Sequence, residues 1–297
     1  MARIIQWIRK NKSSMKLVVE CFDKVKKDCL KFIKSQETKA DKFKNKERMI
    51  KSFLIPLCFW ISKKVDKKKP YFVGLAGGQG TGKTTISSLI AIILTKYFKL
   101  KVFRVSIDDF YKTRKERINL SKRVHPMLLT RGVPGTHDIN MMLSFFSKAK
   151  SKQFKRLKLP TFNKAIDDRF NKKKWYDLKN KPHVIIFEGW CVGAKPENND
   201  TLKKTINSME KAKDQKLIWR KYVNQQLKLK YKNLYSQLNC LIYLKGKNFN
   251  LLQKWRLKQE RKLWLNSKRK SNLKIMSKGD VINFMQTYQR ITQNMFR

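Results

Sequence analysis

The segment Gly77-Gly78-Gln79-Gly80-Thr81-Gly82-Lys83-Thr84 constrains this chain more than any other stretch. It fits G-x-x-x-x-G-K-[ST] in full, follows the apolar run "YFVGLAG" and opens "TTISSLIAIILTKYF". That strand–loop–helix context is the one in which such a loop works. Glycines let backbone amides curl around phosphate oxygens, and the helix N-terminus adds a favourable dipole. Gly77 to Thr85 are therefore expected to cradle the phosphates of ATP. Lys83 would reach the β- and γ-phosphates, and the Thr84 hydroxyl would ligate Mg²⁺.

After the helix comes "KVFRVSI" (101–107), a second strand, which completes a βαβ unit and implies a parallel sheet. "HVIIFEG" (183–189) and "CLIYLKG" (240–246) are near-continuous apolar runs suited to a sheet buried on both faces. The expected class is α/β: a P-loop NTPase fold, a parallel sheet flanked by helices, with an N-terminal helical extension. Helical spacing of apolar residues (Ile4, Ile5, Ile8; then Val18, Val19, Phe22, Val25) predicts two amphipathic helices before residue 50. Further helices are expected over 47–65, bent or started near Pro56, and over 201–238. A long basic helix over 248–270 and a last one over 280–296, with Asp280 as N-cap, complete the chain.

Composition limits the partners. Lys plus Arg number 71 against 21 acids, a net charge of +50 in 297 residues. Lys dominates and is spread along the chain, whereas nucleic-acid readers concentrate Arg in patches. The balance leaves room for nonspecific polyanion binding at low salt, with no specific nucleic acid expected. Five scattered cysteines without a CxxC pair argue against a disulfide framework and against a zinc site. The longest apolar run, "FLIPLCFWI" (53–61), falls far short of a membrane span, and the N-terminus has no secretory pattern. A cytoplasmic protein is expected.

In an acid-poor chain, carboxylates at strand ends are informative, because ligands of open parallel sheets sit outside the carboxyl ends of the strands. Asp108 and Asp109 end the second strand and Glu188 ends "VIIFE". Phosphoryl transfer to an alcohol needs one carboxylate near the hydroxyl proton and another near Mg²⁺ or its waters. Turn capping is the competing use for one of the two aspartates. "TRGVPGTHD" (130–138) offers Arg131, His137 and Asp138 on a rigid turn, with capping of the next helix as the alternative for Asp138. Arg169, in the loop "DDR", would face phosphates or solvent. Arg256 and Arg261 lie on the long basic helix, where a cation closing over the γ-phosphate is worth most.

Taken in order, "SIDDFYKT", "HPMLLTRGVPGTHDI", "LPTFNKAIDDR", "VIIFEGWCVGAKP", "INSMEKAKDQKLIWRKYVNQQL" and "WRLKQERKL" resemble the motifs of the glycerate kinase family of P-loop kinases. The wider group includes uridine kinase, phosphoribulokinase and pantothenate kinase. The resemblance runs from about Pro56 to Arg290. It implies a kinase domain over 66–297 behind a helical extension over 1–65, and transfer of the γ-phosphoryl of ATP to a small hydroxy acid such as D-glycerate, with Mg²⁺. Asp108, two residues before Phe110, matches the catalytic base, and Glu188 matches the acidic residue of the Walker B type. Arg131, His137, Asp138 and, from "DDR", Arg169 fall on the acceptor side, and Arg256 matches the lid segment W-R-x-x-Q-E. The chain departs from P-x-F-D-K by having Asn163, and it ends where the family adds one more strand. Rival readings are a kinase of a nucleoside or pantothenate-like acceptor, a nucleic-acid-associated ATP-binding protein, and a P-loop binding module without turnover.

Overall fold

Four apolar strands form the centre of the molecule in the computed structural model, which describes residues 12–38, 42–267 and 276–297. They are β1 (Tyr71–Gly77), β2 (Val102–Ser106), β3 (Val184–Gly189) and β4 (Cys240–Leu244). All pairings are parallel, in the order β2–β3–β1–β4. Central β3 reads as one apolar run because both of its faces are covered. Its Val184 and Ile186 face one side, and Ile185 and Phe187 the other. No fifth strand joins this sheet among the described residues.

One face is covered by α1 (Lys12–Gln36), α2 (Ile55–Ser62) and α3 (Lys83–Lys96). On α1 the residues Val18, Cys21, Phe22, Val25, Cys29 and Ile33 are buried, spaced three and four apart as an amphipathic helix requires. They share one apolar cluster with Val73 and Leu75 of β1. Val19, grouped with that stripe from sequence, is instead 48% exposed. The expected helix around Ile4, Ile5 and Ile8 lies outside the described residues. The bend near Pro56 takes the form of a π-helical turn, Ile50–Leu54, running directly into α2. Proline cannot donate to the helical ladder, and a widened turn is one way to accommodate it.

The other face is packed by α4 (Arg114–Arg123), α5 (Ile139–Lys150), α6 (Ile218–Gln226) and α8 (Lys278–Phe296). Between α6 and α8 runs α7 (Phe249–Ser267). The single helix expected over 201–238 is broken into Asn199–Lys203, Ser208–Lys213, α6 and a tail from Leu227 to Tyr235. Asp214 causes the restart at α6: its carboxylate accepts the amides of Trp219 (2.9 Å) and Arg220 (3.0 Å). At α8 the N-cap is Ser277, with Asp280 three positions on, in a reciprocal capping box. No helix among the described residues is long and apolar enough to cross a membrane.

Candidate active site

The carboxyl ends of β1, β2 and β3 meet at one edge of the sheet, and each delivers a different group. β1 runs into the glycine-rich loop, which turns into α3 at Gly82. Gly80 and Gly82 both have φ of +82°, a left-handed conformation that side chains disfavour. At Gly80 a second constraint applies: an added Cβ would lie 2.6 Å from Cβ of Trp255, on α7. Gly78 meets the same helix, since a Cβ there would fall 2.4 Å from Cδ1 of Leu252. The loop is glycine-rich partly because α7 is packed down on it.

Lys83 donates to the carbonyls of Gly77 (2.8 Å) and Gly78 (2.9 Å), so its ammonium lies curled within the loop. Burial holds that ammonium below its ordinary pKa, against the pull of the Asp108 and Glu188 carboxylates. The Thr84 hydroxyl donates to Glu188 Oε1 at 3.2 Å, and Ser87 donates to Glu188 Oε2 at 2.9 Å. Register explains the meeting: Glu188 lies level with Leu75 of β1 and Ser106 of β2. Ser87 was not singled out from sequence, although it sits one helical turn after Thr84 on the same face.

The Thr84 hydroxyl and the Glu188 carboxylate are hard oxygen donors beside the phosphate loop. Mg²⁺ is held by one or two protein ligands together with substrate phosphates, not by a protein cage. The residues therefore fit Mg²⁺ with a triphosphate, and no group of three or more metal-ligating side chains exists among the described residues.

β2 delivers the aspartates on a 3₁₀ turn, Ile107–Phe110, whose N-cap Ser106 accepts the Asp108 amide. The Asp108 carboxylate accepts from the Tyr111 hydroxyl (2.9 Å) and from Lys164 Nζ (2.8 Å). Burial pushes this carboxyl up, but the Lys164 charge and hydrogen bond, His137 and Tyr111 outweigh it, so Asp108 lies below its ordinary value. Asp109 differs. Burial raises it to about 6, although the amides of Phe162 and Ser106 bond to it. It serves the turn, the use expected for one of the pair.

His137 is 1% exposed, with its ring stacked on Tyr111 (centroids 4.4 Å apart) and Nδ1 2.6 Å from the Tyr231 hydroxyl. Its Nε2 is buried without a hydrogen-bond partner among the described residues. Burial pushes the ring down to about 3, so it is neutral at physiological pH. Asp138 caps α5, accepting the Met141 amide at 3.0 Å, and pairs with Arg169 Nη2 at 3.1 Å. Arg169 also donates to the Tyr111 carbonyl at 2.7 Å. Arg131 pairs with Asp167 and lies 5.4 Å over the Phe162 ring. The fully buried Arg117 shares Asp167, at 3.0 Å. Sequence reasoning passed over Arg117, Asp167 and Lys164, whose partners are 36 to 56 positions away in the chain, and Tyr111, whose bond to the nearby Asp108 depends on the 3₁₀ turn between them. Asn163 makes a local turn, its side-chain oxygen accepting the Ala165 amide at 3.0 Å, a bond that an aspartate would also make.

Arg256 on α7 pairs with Glu260 at 2.7 Å, one turn along the helix. Leu252 and Trp255 of the same helix lie against Gly78 and Gly80 of the glycine loop.

No protein-family model matches the chain. An uncharacterized kinase of Schizosaccharomyces pombe is 31% identical over 232 residues, covering 74% of this chain and 79% of the relative. The chloroplastic D-glycerate 3-kinase of Arabidopsis thaliana is 27% identical over 227 residues, 70% of this chain and 47% of that protein. Among solved structures, D-glycerate 3-kinase from Cryptococcus neoformans superposes with a TM-score of 0.65 at 25% identity, covering 82% of this chain and 87% of the other. The parallel sheet, the glycine-rich phosphate loop and these relatives agree: the chain belongs to the D-glycerate 3-kinase-like family of P-loop kinases.

Proposed function

We propose that this protein is an ATP- and Mg²⁺-dependent phosphotransferase whose acceptor is the hydroxyl of a small hydroxy acid, with D-glycerate as the first substrate to test. The observation that carries the reading is a carboxylate, Asp108, held ionised by Lys164 and Tyr111 at the end of the strand beside the one that bears Glu188. Relatives named D-glycerate 3-kinase supply the acceptor.

Lys83, the loop amides and the α3 N-terminus neutralise the triphosphate. Thr84 and Glu188 would hold Mg²⁺, which would supply positive charge to offset that of the phosphates. The acceptor hydroxyl donates to Asp108, and its oxygen forms the new bond to the γ-phosphorus. The bond from that phosphorus to the β,γ-bridging oxygen breaks, and ADP leaves with the electron pair. A hydroxyl proton is held about as tightly as that of water, with a pKa roughly 15–16, against an aspartate below its ordinary value. Proton transfer to Asp108 therefore completes as the new bond forms, and the carboxylate acts first by orienting the nucleophile. The Tyr231 hydroxyl accepts from the Gly135 amide and so has its proton for Nδ1 of His137, which puts the ring proton on the buried Nε2. Arg131, Asp138 and Arg169 brace the acceptor side, and Arg256 rides on α7, which as a lid excludes water, a competing acceptor.

The test is ADP release from the purified protein with D-glycerate, uridine, pantothenate or no acceptor, alongside Asp108→Asn. We expect turnover with D-glycerate. The variant should keep ATP binding and lose about a hundredfold or more of its turnover, the usual scale for loss of a general base. Activity confined to a nucleoside would refute the acceptor assignment, and normal turnover in the variant would refute the base.

A further inference from the structure

Four cations surround the acceptor side of Asp108, and three of them are fixed. Arg117 is fully buried and binds Asp167 together with the Lys112 (3.2 Å) and Leu129 (2.6 Å) carbonyls. Arg131 is paired with the same Asp167. Arg169 is held by Asp138 and the Tyr111 carbonyl. The carboxylates they use, Asp138 and Asp167, belong to the scaffold: one caps a helix, and the other joins two arginines.

Lys164 is different. It lies on the turn between the paired strands Phe162–Asn163 and Asp168–Arg169. Its backbone is pinned, with Arg131 Nη2 3.5 Å from its carbonyl and the Asn163 turn beside it. Its side chain is 63% exposed, and its ammonium sits on Asp108, the one carboxylate here that the chemistry needs. A lysine head is a compact charge on a flexible stem, and an exposed ion pair costs little to open. When a hydroxy acid brings its hydroxyl to Asp108, it also brings a second negative charge close to the first. At short range and partial burial such a pair repels strongly unless a cation stands between.

Resting on the reading of Asp108 as base, we propose that Lys164 is an exchangeable counter-ion. It guards Asp108 in the empty site, then swings onto the acid group of the incoming acceptor, and so selects anionic acceptors over neutral ones. The specificity determinant for charge is thus this exposed lysine, not Arg131, whose guanidinium is already engaged. Lys164 also lies close enough to Lys83 for its charge to lower that ammonium's pKa, which puts the swinging group beside the phosphate cradle.

The test compares D-glycerate with glycerol, which keeps the hydroxyls and lacks the carboxylate, in the wild type, Lys164→Met, Lys164→Arg and Asp108→Asn. Lys164→Met should lower kcat/KM for D-glycerate by roughly a hundredfold, the scale for loss of one partner of a desolvated charge pair, mainly through KM. The loss for glycerol, which reports only the weaker hold on the Asp108 charge, should be at least about tenfold smaller than the loss for D-glycerate. Lys164→Arg should recover much of the D-glycerate activity. Equal losses on both acceptors would mean that Lys164 is structural, and no loss on either would mean that it is idle; both overturn the proposal while leaving the base in place. Failure of the base reading shows separately, as turnover retained in Asp108→Asn. Turnover confined to a neutral acceptor such as uridine, or none at all, overturns both.

Discussion

Asp109 is raised to about 6 by burial, whereas its neighbour Asp108 is drawn below the ordinary carboxylate value by Lys164. The folded protein therefore holds the Asp109 proton more tightly than the unfolded chain does, and this contribution to stability is present below about pH 4 and lost as pH rises through about 6. His137 has the opposite effect. Its folded value near 3 lies below the ordinary 6.5, so its contribution is full above about 6.5 and is lost as pH falls toward 3. The two slopes oppose each other between about pH 4 and 6, so each partly masks the other in the wild type. Asp109→Asn removes one slope without removing the acceptor for the Phe162 and Ser106 amides. Urea midpoints should show this variant gaining on wild type more at pH 7 than at pH 4, with turnover retained. An equal offset at both pH values would show that Asp109 is not a buried, strained carboxylate.

At the scale of elements, α8 is tied to the segment before α6 by buried charges as well as by apolar packing. Arg290 donates to Glu210 Oε1 (2.8 Å) and Oε2 (2.7 Å), to Glu197 (3.0 Å), and to the carbonyls of Thr201 and Lys204. Removing one member of such a buried set strands the others, at a cost of about 3–5 kcal/mol. Arg290→Met should therefore lower unfolding stability by that amount, measured by urea titration. Arg290→Lys should rescue little, because an ammonium cannot serve two carboxylates and two carbonyls in one plane. A loss below about 1 kcal/mol would mean that the cluster is dispensable. This cluster marks the limit of what the sequence disclosed. The four strands were legible because a parallel sheet buried on both faces leaves unbroken apolar runs, and the glycine loop because its chemistry is local. The breaks within 201–238 were not legible, since they depend on Asp214 bonding amides five and six residues ahead. The placement of α8 was misread by three residues because Ser277 and Asp280 form a reciprocal pair in which either residue could be taken for the cap. In the site, Asp108, Asp109 and Glu188 could be found by strand-end logic, and Thr84 by the motif of the glycine loop. The partner of Arg131 is 36 positions away, and no local pattern points to it.

Across the whole molecule, 71 basic residues face 21 acids, and several of the acids are already committed: Asp167, Glu210 and Asp214 to buried arginines, Asp138 to the half-buried Arg169, and Glu188 to Thr84 of the phosphate loop. The surplus cations therefore repel one another across the surface, which destabilises the fold at low salt, while the same field favours the approach of small anions such as ATP. Both effects act through solvent and are screened over about 10 Å at 0.1 M ionic strength. The ion pairs of the site are short and partly buried, and salt reaches them less. Raising NaCl from about 0.05 to 0.5 M should thus raise the unfolding midpoint, lower kcat/KM for ATP several-fold, and leave kcat nearly unchanged. A specific nucleic-acid partner would behave otherwise: RNA or DNA would stimulate ADP release in the absence of any small acceptor, steeply so at low salt. For a kinase whose charge serves encounter with small anions, added RNA should only compete with ATP, raising the apparent KM at 0.05 M salt and losing that effect at 0.5 M. Steady-state kinetics at the two salt concentrations, with and without RNA, separate these cases, and stimulation without acceptor would assign the charge to nucleic acid.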